Sequence, residues 1–273
     1  MRFFARFLRI KEVNNTVERI FAQLGIKEVG FCAFDTVREH LLDCRAKARL
    51  PENAKSIILC LFPYKVKDEP PKNISRYAAV PDYHTVCGEI LQKAQTALEA
   101  RFAENHFVRF LDNSPIPEVY AAACSGLGVL GENGLLIHER YGSWCFIGEI
   151  VTDLPLACRN EPKPCLRCGK CMTVCPKKEG IECLSAVSQQ KKPLTKQQAA
   201  SLKKHGVVWG CDLCAEVCPM NSHTEKTDIE AFIQGYRDHY ETGETVSGRA
   251  YAWRGEAVVQ RNAKLLSEEG DTI

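Results

Sequence analysis

No apolar run in this sequence of 273 residues is long enough to cross a bilayer; the cleanest, Ser56-Ile57-Ile58-Leu59-Cys60-Leu61-Phe62, has the length of a buried strand. There is little net charge. Lys and Arg number 36 against 34 Asp and Glu, leaving +2, so no global field grips a polyanion and nucleic-acid binding would need a local patch. No secretory signal is expected either. The opening Met1 to Ile10 is basic and amphipathic, without a continuous apolar core or a small-residue cleavage site, and is expected to be a first packed element of the fold. No low-complexity linker is seen, and no internal repeat is evident over the first 150 or so residues. The chain is therefore expected to be cytoplasmic, with no membrane span and no export.

Cysteine is the opposite case, with fifteen residues. In a secreted chain this would suggest a disulfide framework, but here more than half crowd into one segment at metal-ligand spacings. The first run is Cys165-x2-Cys168-x2-Cys171-x3-Cys175-Pro176; the second is Cys183, then Cys211-x2-Cys214-x3-Cys218-Pro219. Two-residue gaps let one irregular turn present three thiolates to a single cubane. The fourth cysteine points away, and the following Pro turns the chain; in two-cluster ferredoxins that fourth Cys ligates the other cluster. Pseudo-symmetry then assigns Cys165, Cys168, Cys171 and Cys218 to one [4Fe–4S] cluster, and Cys175, Cys183, Cys211 and Cys214 to a second. Paired zinc sites fit less well, because four sulfurs so close together do not match the separated CxxC pairs of zinc ribbons. The other seven cysteines are scattered and read as small buried hydrophobes.

Around this segment the pattern is mixed. Val17, Ile20, Phe21 and Leu24 form a helical stripe ended by Gly25, and Val29–Phe34 reads as a buried strand. A helix is expected over Thr36–Arg49, a core strand over Ser56–Pro63 and a long helix over Asp82–Phe102. The expected buried side of that helix is Val86, Ile90, Leu91, Ala94, Ala97, Leu98 and Phe102. A strand at His106–Leu111, a short helix at Pro117–Cys124, and a hairpin pairing Leu135–Ile137 with Ser143–Val151 follow. Further helices are expected at Lys196–His205, Ile229–Tyr240 and Arg254–Leu266. The fold class predicted is α/β (α+β) over residues 1–155, a ferredoxin-like segment over 156–222, and a short helical tail over 223–273.

The order of motifs resembles the epoxyqueuosine reductase family, cobalamin-dependent iron–sulfur enzymes of queuosine biosynthesis in tRNA. The resemblance is carried by Ser75-Arg76-Tyr77-Ala78 with Asp82-Tyr83-His84, by Leu111-Asp112-Asn113-Ser114-Pro115-Ile116-Pro117-Glu118, and by Gly126-Leu127-Gly128-Val129-Leu130-Gly131. It continues through Tyr141-Gly142-Ser143-Trp144-Cys145-Phe146-Ile147-Gly148-Glu149-Ile150, Cys183-Leu184-Ser185 and Gly210-Cys211-Asp212-Leu213-Cys214, and covers roughly residues 10–222.

It implies a nitroreductase-like domain holding cobalamin above a ferredoxin domain, with electrons passing from the clusters to cobalt and the epoxide oxygen leaving as water. Asp112 matches the family's proton donor, a role that asks for a carboxyl kept protonated by burial. Read locally, Asp-Asn-Ser-Pro is equally an N-cap or a turn before the next helix. Ser75, Tyr83, Leu136, Ile147, Ser185 and Asp212 match corrin contacts, Leu136 and Ile147 through their backbone. The implied partners are modified tRNA and an external electron donor such as a flavodoxin or ferredoxin.

The chain departs from the family at Glu132, usually Lys, at Met220, usually Trp, in a shortened segment before Ser56, and in the expected lack of a C-terminal helical-repeat region. Two other functions share these motifs: a corrinoid reductase of a small molecule, similar to reductive dehalogenases, and a two-cluster electron carrier without corrinoid.

Overall fold

The structure, a computed structural model, describes the backbone of residues 2–267 and the side chains of residues 11–267. The packing expected of the opening segment's side chains, and the last residues of the tail, lie outside the described residues. Helices run in chain order as α1 (Arg2–Gln23), α2 (Phe34–Val37), α3 (Arg76–Ala79), α4 (Tyr83–Arg101), α5 (Glu118–Ser125), α6 (Lys170–Val174), α7 (Leu184–Gln189), α8 (Lys196–Lys204), α9 (Leu213–Glu216), α10 (Glu230–Gln234) and α11 (Glu256–Ser267). The strands are β1 (Val29–Ala33), β2 (Ser56–Pro63), β3 (Phe107–Leu111), β4 (Val129–Leu130), β5 (Leu136–Ile137), β6 (Cys145–Thr152) and β7 (Lys163–Pro164). By packing, the chain divides into two units, one of residues 1–62 and 84–167, the other of residues 63–83 and 168–273. This division cuts differently from boundaries drawn along the sequence, because residues 63–83 leave the first unit to fold with the cysteine-rich one.

The first unit is built on a four-stranded sheet in the order β1-β2-β6-β3, with β1 antiparallel to β2 and β3 antiparallel to β6. β2 is buried along its whole length, as its unbroken apolar sequence demands of a central strand. Its alternate residues serve opposite faces. Ile57, Leu59 and Leu61 join Phe110, Ile147 and the alanines of α5 in one core cluster. Cys60 and Phe62 face the other way; a Cβ on Gly148 would meet both of them together with Leu91 of α4. α5 therefore covers one face of the sheet and α4 the other. The buried stripe of α4 is Cys87, Leu91, Ala94 and Leu98, so Cys87 takes the place expected of Val86 and Ile90.

Two expectations fail here. Thr36–Arg49 is not one helix: α2 stops at Val37, and two short 3-10 turns, Arg38–His40 and Arg45–Arg49, flank a non-helical stretch. The Leu42 N–H bonds the Pro115 carbonyl rather than the preceding helical turn, so a tertiary contact outbids local helix propensity. Nor do Leu135–Ile137 and Ser143–Val151 form a hairpin. β5 pairs with β4, and β4 also runs parallel to β7, giving a small second sheet. A tight reversal closed by the His138–Gly142 bridge, with Gly142 at φ 58°, releases β6 into the main sheet, where its apolar run is covered on both faces.

The second unit is helical. Trp209, Tyr240 and Tyr251 are fully buried and pack with Val258, Val259 and Ala263 of α11. A second cluster joins Leu184 and Val187 of α7 to Leu202 of α8. α8 opens on a capping box, in which Thr195 accepts the Gln198 N–H and Gln198 accepts the Thr195 N–H. Arg76, buried at the start of α3, donates to Glu216 at 2.5 Å and to the carbonyls of Lys67 and Asp68, pinning residues 63–83 to this unit. The helix expected over Ile229–Tyr240 shortens to α10, because Gly235 ends it where a Cβ would strike Pro81.

Candidate functional site

From Cys168 onward the two cysteine runs share a backbone plan within the second unit. α6, carrying Cys171, packs against α9, carrying Cys214. Each helix is followed by an extended cysteine and a proline that opens a 3-10 turn: Cys175 at φ −75°, ψ 125°, and Cys218 at φ −71°, ψ 121°. This is the pseudo-symmetry expected from the spacing, expressed in dihedral angles. Burial pushes the Cys211 thiol up to about 12, and the charges of Asp212, Cys183 and Cys214 add to that shift, so Cys183, Cys211 and Cys214 are electrostatic neighbours. Burial of this kind favours the neutral thiol, and a neighbouring cation or metal would favour the thiolate. Cys168 and Cys183 are exposed. Cys165 belongs to the first unit, where its sulfur faces the N–H groups of Glu132 at 3.4 Å and Arg167 at 3.5 Å. Among the described residues, no three His, Cys, Asp or Glu converge as tightly as a single metal ion requires.

Beside these cysteines lies a pocket of about 180 Å³, whose lining includes Ser75, Gly210, Cys211 and Asp212. The Ser75 hydroxyl is buried and has no hydrogen-bond partner. Gly210 adopts φ 71°, and a Cβ there would collide with the Ser75 hydroxyl. The Arg76 N–H bonds the Asp212 carboxylate at 2.6 Å, while burial lifts that carboxyl to about 6. Ser75 and Asp212 are thus brought together. Ser185, on the first turn of α7, accepts from Gln189 at 3.1 Å. Tyr83 opens α4. The side chains of Leu136 and Ile147 are both committed to the core of the first unit, which leaves only their backbone for a ligand.

In the first unit, Asp112 follows directly on β3 and sits in the left-handed region at φ 61°. The cap of α5 is Pro117, five residues further on, so Asp112 is not the helix cap that its local sequence also allowed. Its Oδ2 lies 3.3 Å from His84 Nε2, on the first turn of α4. Asp112 is 61% exposed, contrary to the burial expected of it, because the loop carries it off the end of the sheet. A cavity of about 470 Å³ opens beside it, lined by His84, Arg49, Arg109, Leu111 and Asn113 among others.

Two carboxyls of this region, Glu149 buried and Glu118 half-buried, were missed by sequence reasoning. Glu149, on β6 opposite Phe110, is 1% exposed and accepts the Ser114 hydroxyl. Burial pushes it to about 8, against the lowering effect of Ser114. Glu118, the first residue of α5, is pushed to about 7 by burial and by the Asp112 charge. A lone acid inside the apolar run Cys145–Thr152 was the available signal for Glu149. Glu118 reads as an ordinary first-turn helix acid and offered none.

Comparison with known proteins agrees with these motifs. Residues 45–113 match the family model for epoxyqueuosine reductase QueG, DUF1730. The chain is 28% identical to the epoxyqueuosine reductase of Lactococcus garvieae over 93% of its own length and 86% of that protein. To the epoxyqueuosine reductase of Gloeobacter violaceus it is 34% identical over 63% of its length and 58% of that protein. Among solved structures, the epoxyqueuosine reductase of Streptococcus thermophilus superposes with a TM-score of 0.77 at 22% identity, covering 93% of this chain and 80% of that one. A second epoxyqueuosine reductase, solved with an epoxyqueuosine-modified tRNA-Tyr stem loop, gives 0.78 at 20% identity, covering 94% and 81%. These last two likenesses establish a shared mixed α/β fold.

Proposed function

From the premise that the chain belongs to the epoxyqueuosine reductase family, we propose that it reduces epoxyqueuosine to queuosine in tRNA, removing the epoxide oxygen as water. The observation that carries the reading is Asp112: an acid held in a strained loop conformation, against the His84 imidazole, at the edge of a cavity of about 470 Å³. Left-handed backbone at a non-glycine residue costs about 1–3 kcal/mol and persists where a site requires it. Asp112 donates a proton to the departing oxygen, and His84 orients its carboxyl. Arg49 and Arg109 on the cavity wall bring positive charge to where an RNA phosphate would lie.

Two [4Fe–4S] clusters are held by the eight cysteines. Cys175, Cys183, Cys211 and Cys214 form one set; Cys168, Cys171 and Cys218 belong to the other, with Cys165 three residues before Cys168 in the chain. The matching Cys-Pro turns and the mutual electrostatic neighbours of Cys211 support the fit. Cobalamin fits the second unit at the buried, unpartnered Ser75 hydroxyl and the glycine surface at Gly210, with Tyr83, Ser185 and Asp212 as further contacts. When bound, these groups supply single electrons and a strongly reducing centre for breaking the carbon–oxygen bond.

On this reading residues 1–155 form a nitroreductase-like domain that binds cobalamin and substrate, 156–222 a ferredoxin-like domain and 223–273 a short helical tail. A flavodoxin or ferredoxin is the electron donor, and the work is done in the cytoplasm. No described helix is long and apolar enough to cross a membrane. The test has two parts. Anaerobically purified protein is expected to retain added cob(II)alamin with a base-off absorption band. Under reducing conditions it is expected to lower the mass of epoxyqueuosine-bearing tRNA by one oxygen. Unchanged tRNA mass with corrinoid bound would exclude tRNA as the substrate.

A further inference from the structure

The loop between β3 and α5 leaves the strand through two successive three-residue turns. The Asn113 N–H bonds the Leu111 carbonyl at 2.8 Å, and the Ser114 N–H bonds the Asp112 carbonyl at 2.8 Å. The first turn is centred on Asp112 at φ 61°, and a positive φ at that position marks the rare, strained form of such a turn. Burial does not hold Asp112 there, because its side chain is exposed. The conformation therefore depends on how the rest of the loop is tied down.

Ser114 supplies one tie. Its hydroxyl donates to Glu149 Oε2, and its oxygen accepts the Ile116 N–H at 3.0 Å, so a single side chain joins the loop backbone to β6. Glu149 stands opposite Phe110 in the β3–β6 pairing, and its carboxyl reaches the loop from a rigid element. A second tie, the Leu42 N–H on the Pro115 carbonyl at 2.8 Å, holds the next residue of the loop. A carboxyl is a costly choice at the Glu149 position. The residue is 1% exposed, and its Oε1 is buried with no hydrogen-bond partner. An apolar side chain would fill the same place in the Cys145–Thr152 run without that desolvation cost. What the acid adds is an acceptor for Ser114.

We propose that Ser114 and Glu149 are positioning residues for the Asp112 carboxyl: a latch between the loop and β6 that keeps Asp112 in its left-handed conformation and its Oδ2 3.3 Å from His84 Nε2. Neither residue moves a proton in the reaction; both act through Asp112. The inference rests on Asp112 being the proton donor.

Hydrogen exchange on the full chain, read by mass spectrometry over residues 111–118, measures the latch without turnover. Ser114→Ala and Glu149→Met each remove one side of it, while Glu149→Gln keeps a carbonyl acceptor for the Ser114 hydroxyl. The two latch-breaking variants are expected to exchange about three- to tenfold faster in that segment, the scale of one lost hydrogen bond, with α4 unchanged. Glu149→Gln is expected to stay close to wild type. With an epoxyqueuosine-bearing tRNA stem loop, both latch-breaking variants should lower kcat about tenfold or more, the cost of a misplaced catalytic group, with KM unchanged. Glu149→Gln should turn over faster than Glu149→Met. Ser114→Ala added to Asp112→Ala should slow turnover no further, because a latch acts only through the acid it places. Wild-type exchange or wild-type kcat in the latch-breaking variants overturns the proposal. So does a kcat loss from Ser114→Ala that is as large without Asp112 as with it. Should either latch-breaking variant fail to fold by circular dichroism, the other carries both measurements. Wild type that leaves the epoxide intact, with the exchange results as expected, would defeat the functional reading and not the latch.

Discussion

Asp112 Oδ2 and His84 Nε2 meet at 3.3 Å, joining the loop after β3 to the first turn of α4 at the edge of the same cavity. The residues are 28 positions apart in sequence, and both are partly open to solvent, at 61% and 40% exposure. An exposed pair of this kind adds little to stability. Its value lies in fixing where the carboxyl points.

Removing the carboxyl should therefore cost catalysis and not folding. Asp112→Ala is expected to bind corrinoid as wild type does and to deoxygenate modified tRNA at least tenfold more slowly, the scale of a lost general acid. His84→Ala should lower kcat less, because the acid remains while its orientation loosens. Single-turnover assays with the two variants side by side check both statements.

Glu149 makes stability depend on pH. Its carboxyl is raised from the ordinary glutamate value to about 8, so the folded state binds a proton that the unfolded state releases. Stability is then greatest below about pH 4.5 as far as this group is concerned, and falls by up to about 1.4 kcal/mol per pH unit until the folded value is passed. Glu149→Gln keeps the neutral form and should flatten that fall. Urea midpoints at pH 6 and pH 9 test it: the variant should lose less between them than wild type does.

Metal content discriminates between the iron and zinc readings of the cysteines. Anaerobic protein should carry about eight irons per chain, and Cys214→Ala about four. Stripping the iron by oxidation and chelation should lower the melting temperature, since anything bound only by the folded state stabilises it. A zinc-loaded sample with its full complement of thiols would remove the electron route.

At Gly210 two demands coincide, a positive φ and a hydroxyl where a Cβ would stand. Gly210→Ala is expected to cost about 1–3 kcal/mol. Ser75→Ala should leave stability nearly unchanged, because the hydroxyl it removes has no partner, while weakening corrinoid retention. Thermal melts and a corrinoid titration on both variants separate the backbone effect from the ligand effect.

What the chain could declare in one dimension was its local chemistry. The cysteine spacings and their prolines dictate a repeated turn, and Cys175 and Cys218 adopt nearly the same dihedral angles. The unbroken apolar run Ser56–Pro63 requires burial on both sides and receives it. Packing decided the rest. Leu42 took the Pro115 carbonyl and broke the helix expected there, and β6 joined the main sheet instead of folding back on β5. The proton-holding groups were hidden for the same reason. Glu118 and Glu149 carry ordinary side chains whose affinity for protons is set by exclusion from water and by neighbouring acids, Asp112 for Glu118 and Glu118 for Glu149. That environment exists only once β6, α5 and the loop after β3 have assembled around them.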